Sequence, residues 1–592
     1  MKKVVIDFET TGLSPQEGSR IFLAGMETED GKVFLSYRPG FKVFKSRLKE
    51  KNNNAKWERI KRAIENKNIT KICHNAKFEL KMCDAEGWKP AGIFHDTMLL
   101  SYVNNEYEGS LSLEYLSKKY LDEKYHKSGD EIKKWLAKEK RQRRKQEIFI
   151  EPNYSDVPEE IMLPYLENDL DSTMLLYWLY EQKVESEHAD IYEIERKLIP
   201  AVVNMENTGV LLDIPYLEAA KRNTKKKLDT LEKELYTLAG KKFNPNAPGH
   251  VASILIHLGI ELTEYTDKGN PKTGKEVLER LNHPFADTML KYKAIKKIFG
   301  TYLVPIQEMA LDNVLYCNFW QFGQDQGIKT SRFSSSNPNL QNVPVRESGI
   351  VRRAFIPRPC YVLLFVDYAQ IEARIFAHYA DDKIMKDAFF RGIDIYETDM
   401  VRIWGSAEVK KWKETDKVKF KYQRYIAKTI RLAIQYGMGV QLLANKIDYT
   451  YAQAKKFKAD YLRTFPSVKK LMNETETELL RNGFIEDIFG RHYHVPRDLC
   501  YKGVNAKIQG TAATVMKKAI IETYENVILK EDVNLLMTIH DELIFEIRYE
   551  ELKKQAMKIK TCMEDHKTFD VPMLVDLEYS KKSWADKKEL LL

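Results

Sequence analysis

The amino-acid sequence predicts a multidomain protein, α/β at its start and α+β further on, and three observations carry that prediction. At 592 residues the chain exceeds one hydrophobic core, and about 150 residues per domain implies roughly three to five units. Residues 1–190 alternate short apolar strands with amphipathic helices, the pattern of an α/β layer. Two acidic strings, Val366-Asp367-Tyr368-Ala369-Gln370-Ile371-Glu372 and Ile539-His540-Asp541-Glu542, each sit in a strand-like run, and a helical stretch separates them. They therefore fall in one sheet-bearing unit split by a helical insertion.

The first strand pattern, Val4-Val5-Ile6, runs into Asp7-Phe8-Glu9, and a second follows at Ile21-Phe22-Leu23-Ala24-Gly25. Alternation at period two puts Asp7 and Glu9 on one face, aimed at one cation. The run Lys138-Glu-Lys-Arg-Gln-Arg-Arg-Lys145 is strongly basic and helical; it reads either as a solvated face or as a rail for single-stranded DNA. Residues 191–330 turn helical, with a leucine stripe over Asn223–Leu235, and the turn-rich segments Phe243–Gly249 and Asp267–Gly274 read as exposed loops. Residues 331–382 and 497–592 are richer in strands, and 383–496 is mainly helical.

Bulk properties narrow the setting. Lys and Arg total 95 against 86 Asp and Glu, a net charge of +9, so an anionic ligand must meet local clusters rather than a uniform field. The cysteines at 73, 83, 317, 360, 500 and 562 form no CxxC pair, which fits a reducing compartment and argues against structural zinc and disulfides. No signal-like apolar region opens the chain and no run is long enough to span a bilayer, so a cytoplasmic, membrane-free protein is expected.

An Asp at the end of a buried strand is costly unless something positive meets it. Asp367 and Asp541 from adjacent strands could bridge two divalent ions against a triphosphate, with Glu542 a weaker, outer partner. Oxygen ligands favour magnesium, two ions per site, with manganese as a substitute. Arg424 and Lys428 share a helical face, although such a basic pair is commonly just solvated.

The flanking residues resemble motifs A and C of the family A DNA polymerases, which include bacterial DNA polymerase I and several bacteriophage replicases. Lys428-Thr-Ile-Arg431-Leu-Ala-Ile-Gln-Tyr436-Gly437 resembles motif B, and Thr330–Pro344, followed by Arg352-Arg353-Ala-Phe355, resembles the segment that approaches the primer-template minor groove. The resemblance implies a right-hand polymerase, with a thumb at 191–330, a palm at 331–382 and 497–592, and fingers at 383–496. It implies metal binding by Asp367, Tyr368 and Asp541, with Glu542 and Lys428 as further catalytic groups. Nucleotide contacts would come from Arg424, Lys428, Tyr436, Glu372, Gln370, Tyr396 and Leu432, with Glu372 excluding the ribose 2′-hydroxyl. DNA contacts would come from Arg332, Gln341, Asn342, Asn505, Gln509 and His540. Taken alone, Glu372 is equally a helix-start carboxylate favoured by the dipole. Two departures stand out: Leu432 replaces an aromatic residue, which predicts discrimination against dideoxynucleotides, and Tyr396 replaces the usual histidine.

Val5-Ile-Asp7-Phe-Glu9-Thr-Thr-Gly12 and Tyr165-Leu-Glu-Asn-Asp169 are similar to the first and third motifs of DnaQ-like 3′–5′ exonucleases, on an RNase H-like fold over residues 1–190. By that resemblance Asp7, Glu9 and Asp169 bind metal and Tyr165 positions water. Glu79, in His74-Asn75-Ala-Lys-Phe78-Glu79, stands where the family has Asp, so its metal geometry is either retained by backbone adjustment or lost, and Asp96 matches a nearby position outside the ligand set. The expected function is template-directed DNA synthesis with proofreading by a monomer on primer-template DNA and deoxynucleoside triphosphates. The length leaves no room for a 5′ flap nuclease, and the 191–330 arm lacks a long insertion of the kind that binds a thioredoxin clamp. Other replisome or clamp partners stay open, and the compact layout suggests a bacteriophage source.

Overall fold

Strand β1 (Lys2–Thr10) buries Val4, Val5, Ile6 and Phe8 at the centre of a five-stranded sheet. In this computed structural model, which describes residues 2–41, 50–125, 127–323, 329–343, 349–565 and 567–592, the order is β3-β2-β1-β4-β5, with β2 Ile21–Thr28, β3 Val33–Tyr37, β4 Ile69–Cys73 and β5 Phe94–Asp96. β2 runs antiparallel to β1 and β4 parallel to it. Helices α1 (Ala76–Ala85), α2 (Thr97–Asn104), α3 (Lys127–Lys145) and α4 (Glu159–Glu187) complete the layer. α4 crosses close to β2 because Gly25 has no side chain: a Cβ there would lie 2.9 Å from Leu170.

Helix α5 (Ala189–Thr208) is shared between two cores. Tyr192 and Ile199 pack with the first sheet, whereas Leu198, Ala201, Val202 and Met205 pack with the second. A third core runs from Leu228 on helix α6 (Ile214–Ala239) to Tyr292. The expected loop 243–249 is shorter. Pro248 begins a helix, where its fixed φ suits the first turn.

The second sheet holds both acidic strings. Its order is β9-β10-β6-β11-β12: β9 Val533–Ile539, β10 Glu542–Arg548, β6 Tyr361–Tyr368, β11 Val575–Ser580 and β12 Lys588–Glu589. Helices α7 (Ile371–Ala380), α8 (Ile395–Trp404), α9 (Lys417–Gln435) and α10 (Gly503–Thr523) follow or cover it. Residues 383–496 are helical except for a hairpin, β7 Phe484–Glu486 and β8 His492–His494, that reaches back to the first domain. There the His494 N–H donates to Glu106 at 2.7 Å. All six cysteines are unpaired. Among the described residues no helix is long and apolar enough to cross a membrane. Pro344 lies outside the described residues.

Candidate active sites

In the first domain β1 and α4 converge. The ligand atoms of Asp7, Glu9 and Asp169 lie within 4.8 Å of one another, and Tyr165 sits one helical turn before Asp169. Burial pushes the Asp7 carboxyl up to about 7. Burial, then the charges of Asp7 and Asp169, hold Glu9 well above the usual range. Asp169 is raised by burial and by Asp7, while a hydrogen bond with Tyr165 acts the other way. Glu79 on α1 stands beside this group: burial raises it, and Asp7 and Glu9 raise it further. Its Oε2 is buried without a hydrogen-bond partner. Clustered acids with only oxygen donors and an orphaned buried oxygen fit a hard divalent cation such as Mg²⁺. Asp96 is not part of that set, because its carboxylate accepts the backbone N–H groups of Asn75, Ala76 and Met98, each at 2.9 Å.

Sequence reasoning missed the group that anchors α1. Glu206 on α5 is buried and receives Lys77 at 2.7 Å and Lys81 at 2.9 Å, the lysines that flank Glu79, and also the Phe319 N–H at 2.6 Å. Nothing in the local pattern around Glu206 marks it, since its partners are remote in the chain.

In the second domain Asp367 ends β6 and Asp541 occupies the β9–β10 hairpin beside His540, whose φ is +55°. The Tyr368 N–H donates to the Asp541 carbonyl at 3.2 Å, joining the two strings. Register places Glu542 and Asp576 on either side of Asp367. Burial, then Glu542 and Asp541, push Asp367 up to about 7. Asp541 is also raised by burial, against the nearby Arg332 charge 4.0 Å away. Two oxygen-donor acids held in neighbouring, hydrogen-bonded strings suit a hard cation such as Mg²⁺. Glu542 is tied up by an ion pair with Lys587, a cation that sequence reading did not single out. The Tyr368 phenol points into the core and donates to Met563 at 2.6 Å, so only its main chain remains for a ligand.

Helix α9 carries Arg424 and Lys428, with Tyr396 of α8 between them: its ring centroid is 5.1 Å from the Arg424 guanidinium and 5.6 Å from the Lys428 ammonium. Arg424 also pairs with Asp394. Arg431, turned inward, forms a bidentate pair with buried Asp399 at 2.6 and 2.7 Å, which fixes α9 on α8. At the end of α9, Tyr436 donates to Glu372, which also receives Arg332 and Gln435. Leu432 is half-buried one turn earlier, and Gln370, exposed with φ +59°, precedes α7.

The expected DNA contacts divide. Gln341 donates to the Thr538 carbonyl at 2.7 Å and accepts from the His540 N–H at 2.9 Å, so it holds the hairpin that carries Asp541. Gln509 hydrogen-bonds Tyr436. Asn505, one turn earlier on α10, keeps its Oδ1 buried without a partner. Asn342 and His540 expose their side chains.

Known proteins resemble both domains. The model for DNA polymerase family A matches residues 214–586, and a 3′-5′ exonuclease model matches residues 1–185. The chain belongs to DNA polymerase family A. It is 28% identical over 598 residues to DNA polymerase I of Pseudomonas aeruginosa, covering 97% of this chain and 62% of that one. It is 32% identical over 434 residues to the thermostable DNA polymerase I of Thermus filiformis, covering 70% and 49%. It thus spans about half to three fifths of these relatives' length. The fold is similar to the POL domain of Pol1 from M. smegmatis in complex with DNA primer-template and dNTP, with TM-score 0.79, 20% identity, and coverage of 98% and 96%.

Proposed function

We propose that the protein is a DNA-directed DNA polymerase with 3′–5′ proofreading, acting on primer-template DNA and deoxynucleoside triphosphates with Mg²⁺. The observation that carries this reading is that the strand end bearing Asp367 pairs with the hairpin bearing Asp541, with helix α9, which carries Arg424 and Lys428, joined to the same site through Tyr436, Glu372 and Arg332. Divalent ions on Asp367 and Asp541, with the Tyr368 main-chain oxygen, would neutralise charge on the attacking and leaving oxygens.

The chain's own groups set the rest of the chemistry. The primer 3′-hydroxyl loses its proton to solvent as its oxygen attacks the α-phosphorus, the bond from that phosphorus to the α,β-bridging oxygen breaks, and pyrophosphate leaves. Arg424 and Lys428 hold the triphosphate, and Lys428 gives a proton to the leaving group. Tyr396, a neutral group between two cations, orients them in place of a histidine. Glu372 blocks a 2′-hydroxyl, and Tyr436 guards the templating position. Arg332, Asn342, Asn505, Gln509 and His540 meet the duplex, while Gln341 holds the hairpin that carries Asp541. In the first domain Asp7, Glu9 and Asp169 hold metal, Glu79 supports them, and Tyr165 orients the attacking water. Residues 1–190 form the exonuclease, and palm and fingers divide near 382 and 497.

Primer extension with matched and mismatched 3′ ends tests the reading. Asp541→Ala abolishes synthesis and spares degradation, whereas Asp7→Ala does the reverse. Undiminished synthesis by Asp541→Ala would sink the polymerase assignment.

A further inference from the structure

Helix α3 carries chemistry that neither active site uses. Its inward face, with Ile132 buried and Trp135 and Leu136 half-buried, packs on the first core. Its outward face places Lys134, Lys138, Arg141 and Lys145 at i, i+4, i+7 and i+11, a single exposed stripe. Among the described residues none of these four has an acidic partner, whereas their neighbours do: Lys133 pairs with Glu114, Lys140 and Arg144 with Glu151, and Arg143 with Glu139 and Asp156. Lys140, Arg143 and Arg144 fasten the chain that returns from the helix. The unpaired ones remain free along about 16 Å at 1.5 Å per residue.

Both ends of the stripe are informative. Past Lys145 the chain exposes three consecutive apolar residues, Ile148, Phe149 and Ile150, with Phe149 88% exposed. That tip is held in shape, because the Ile148 N–H donates to the Arg143 carbonyl at 2.9 Å. At the other end, a Cβ on Gly129 in the first turn of α3 would lie 3.8 Å from the Tyr165 ring. The returning chain brings Tyr154 to 6.2 Å from the same ring. The first turn of α3, five residues before the stripe, thus lies beside the exonuclease residues.

We propose that the α3 stripe and the Phe149 tip form an additional track for single-stranded DNA, gripping the strand on the 5′ side of the nucleotides whose 3′ end enters the exonuclease site. One row of cations suits one phosphate backbone, and an exposed aromatic ring suits an unstacked base. The purpose of the track rests on the exonuclease reading. Its binding is measured without turnover, so the two fail separately.

The test uses the full chain carrying Asp7→Ala, with labelled oligothymidylates of about 4 and about 20 nucleotides, bracketing typical single-strand site sizes, followed by anisotropy over a salt series. Replacing Lys134, Lys138, Arg141 and Lys145 with Gln is expected to weaken the long strand at least tenfold and to lower its log–log salt slope by about 3, at about 0.7 per phosphate. Phe149→Ala is expected to weaken the long strand about fivefold or more with its slope unchanged, and neither change affects the short strand. Phe149→Ala removes one exposed side chain, so it tests the track without loading the fold. Equal losses on both strand lengths, or equal loss on blunt duplex, would overturn the proposal in favour of a general cationic surface. No loss on either strand would overturn it too and leave the patch to an acidic protein partner.

Discussion

The Tyr436 phenol donates a hydrogen bond to Glu372 Oε2 at 2.5 Å, tying the end of the cationic helix α9 to the carboxylate that follows Asp367. Arg332 holds the other oxygen of Glu372 and stands 4.0 Å from Asp541. One carboxylate thus joins helix α9, the segment that follows Asp367 and the Arg332 guanidinium.

If Glu372 is the sugar gate, Glu372→Ala raises ribonucleotide incorporation by roughly 10²-fold, the scale on which a pocket rejects an added hydroxyl. Incorporation of each sugar in single-turnover extension measures it. Unchanged sugar selectivity would assign Glu372 to holding Tyr436 and Arg332 alone.

Leu432 makes a second claim on nucleotide choice. With no aromatic hydroxyl at this half-buried position, the wild type is expected to discriminate against dideoxynucleotides, and Leu432→Tyr is expected to narrow that gap. Efficient chain termination by the wild-type protein would refute the expectation.

Glu79 tests the exonuclease site. Its orphaned Oε2 and its position beside Asp7 and Glu9 give Glu79→Gln an expected loss of about 10–100-fold in metal affinity or degradation, as for outer-shell ligands. Polymerisation is expected to stay unchanged. Degradation at the wild-type rate would make Glu79 a bystander.

Glu206 bears on stability. Glu206→Gln leaves Lys77 and Lys81 buried beside a neutral group, and breaking a buried pair costs about 3–5 kcal/mol. Urea unfolding, read by hydrogen exchange in α1 and α5, is expected to show the loss there. Protection equal to wild type in both helices would contradict it.

Acidity and metal are linked. Asp7 is pushed up to about 7 from 3.8, so the folded protein binds more protons than the unfolded chain across that interval. Stability in a chelating buffer is therefore full below about pH 4 for this group and declines as pH rises through 7. Added Mg²⁺ competes with those protons and restores stability by mass action, more strongly at higher pH. Unfolding midpoints measured with chelator and with Mg²⁺ from acid to neutral pH would show a gap that widens; a gap that narrows would count against the site.

Much of both sites was legible before the fold because their spacing is local. Period two puts Asp7 and Glu9 on one face, a helical turn aligns Tyr165 with Asp169 and Arg424 with Lys428, and a strand-end Asp needs a cation wherever it lies. The helix under the basic run Lys138–Lys145 was legible for the same reason. The sharing of α5 between two cores was not, because its apolar stripes look alike in sequence although one packs on each sheet.

The sequence alone determined which side chains could bind metal and phosphate, through residue type and short-range periodicity. Only the tertiary structure decided who faces whom. It gave Glu542 to Lys587, Gln341 to the Asp541 hairpin, Tyr396 to Arg424 and Lys428, and Glu206 to the lysines flanking Glu79. These partners are remote in the chain and meet because buried charges and amides must find a counterpart once packing removes water, a requirement that leaves no mark in local spacing.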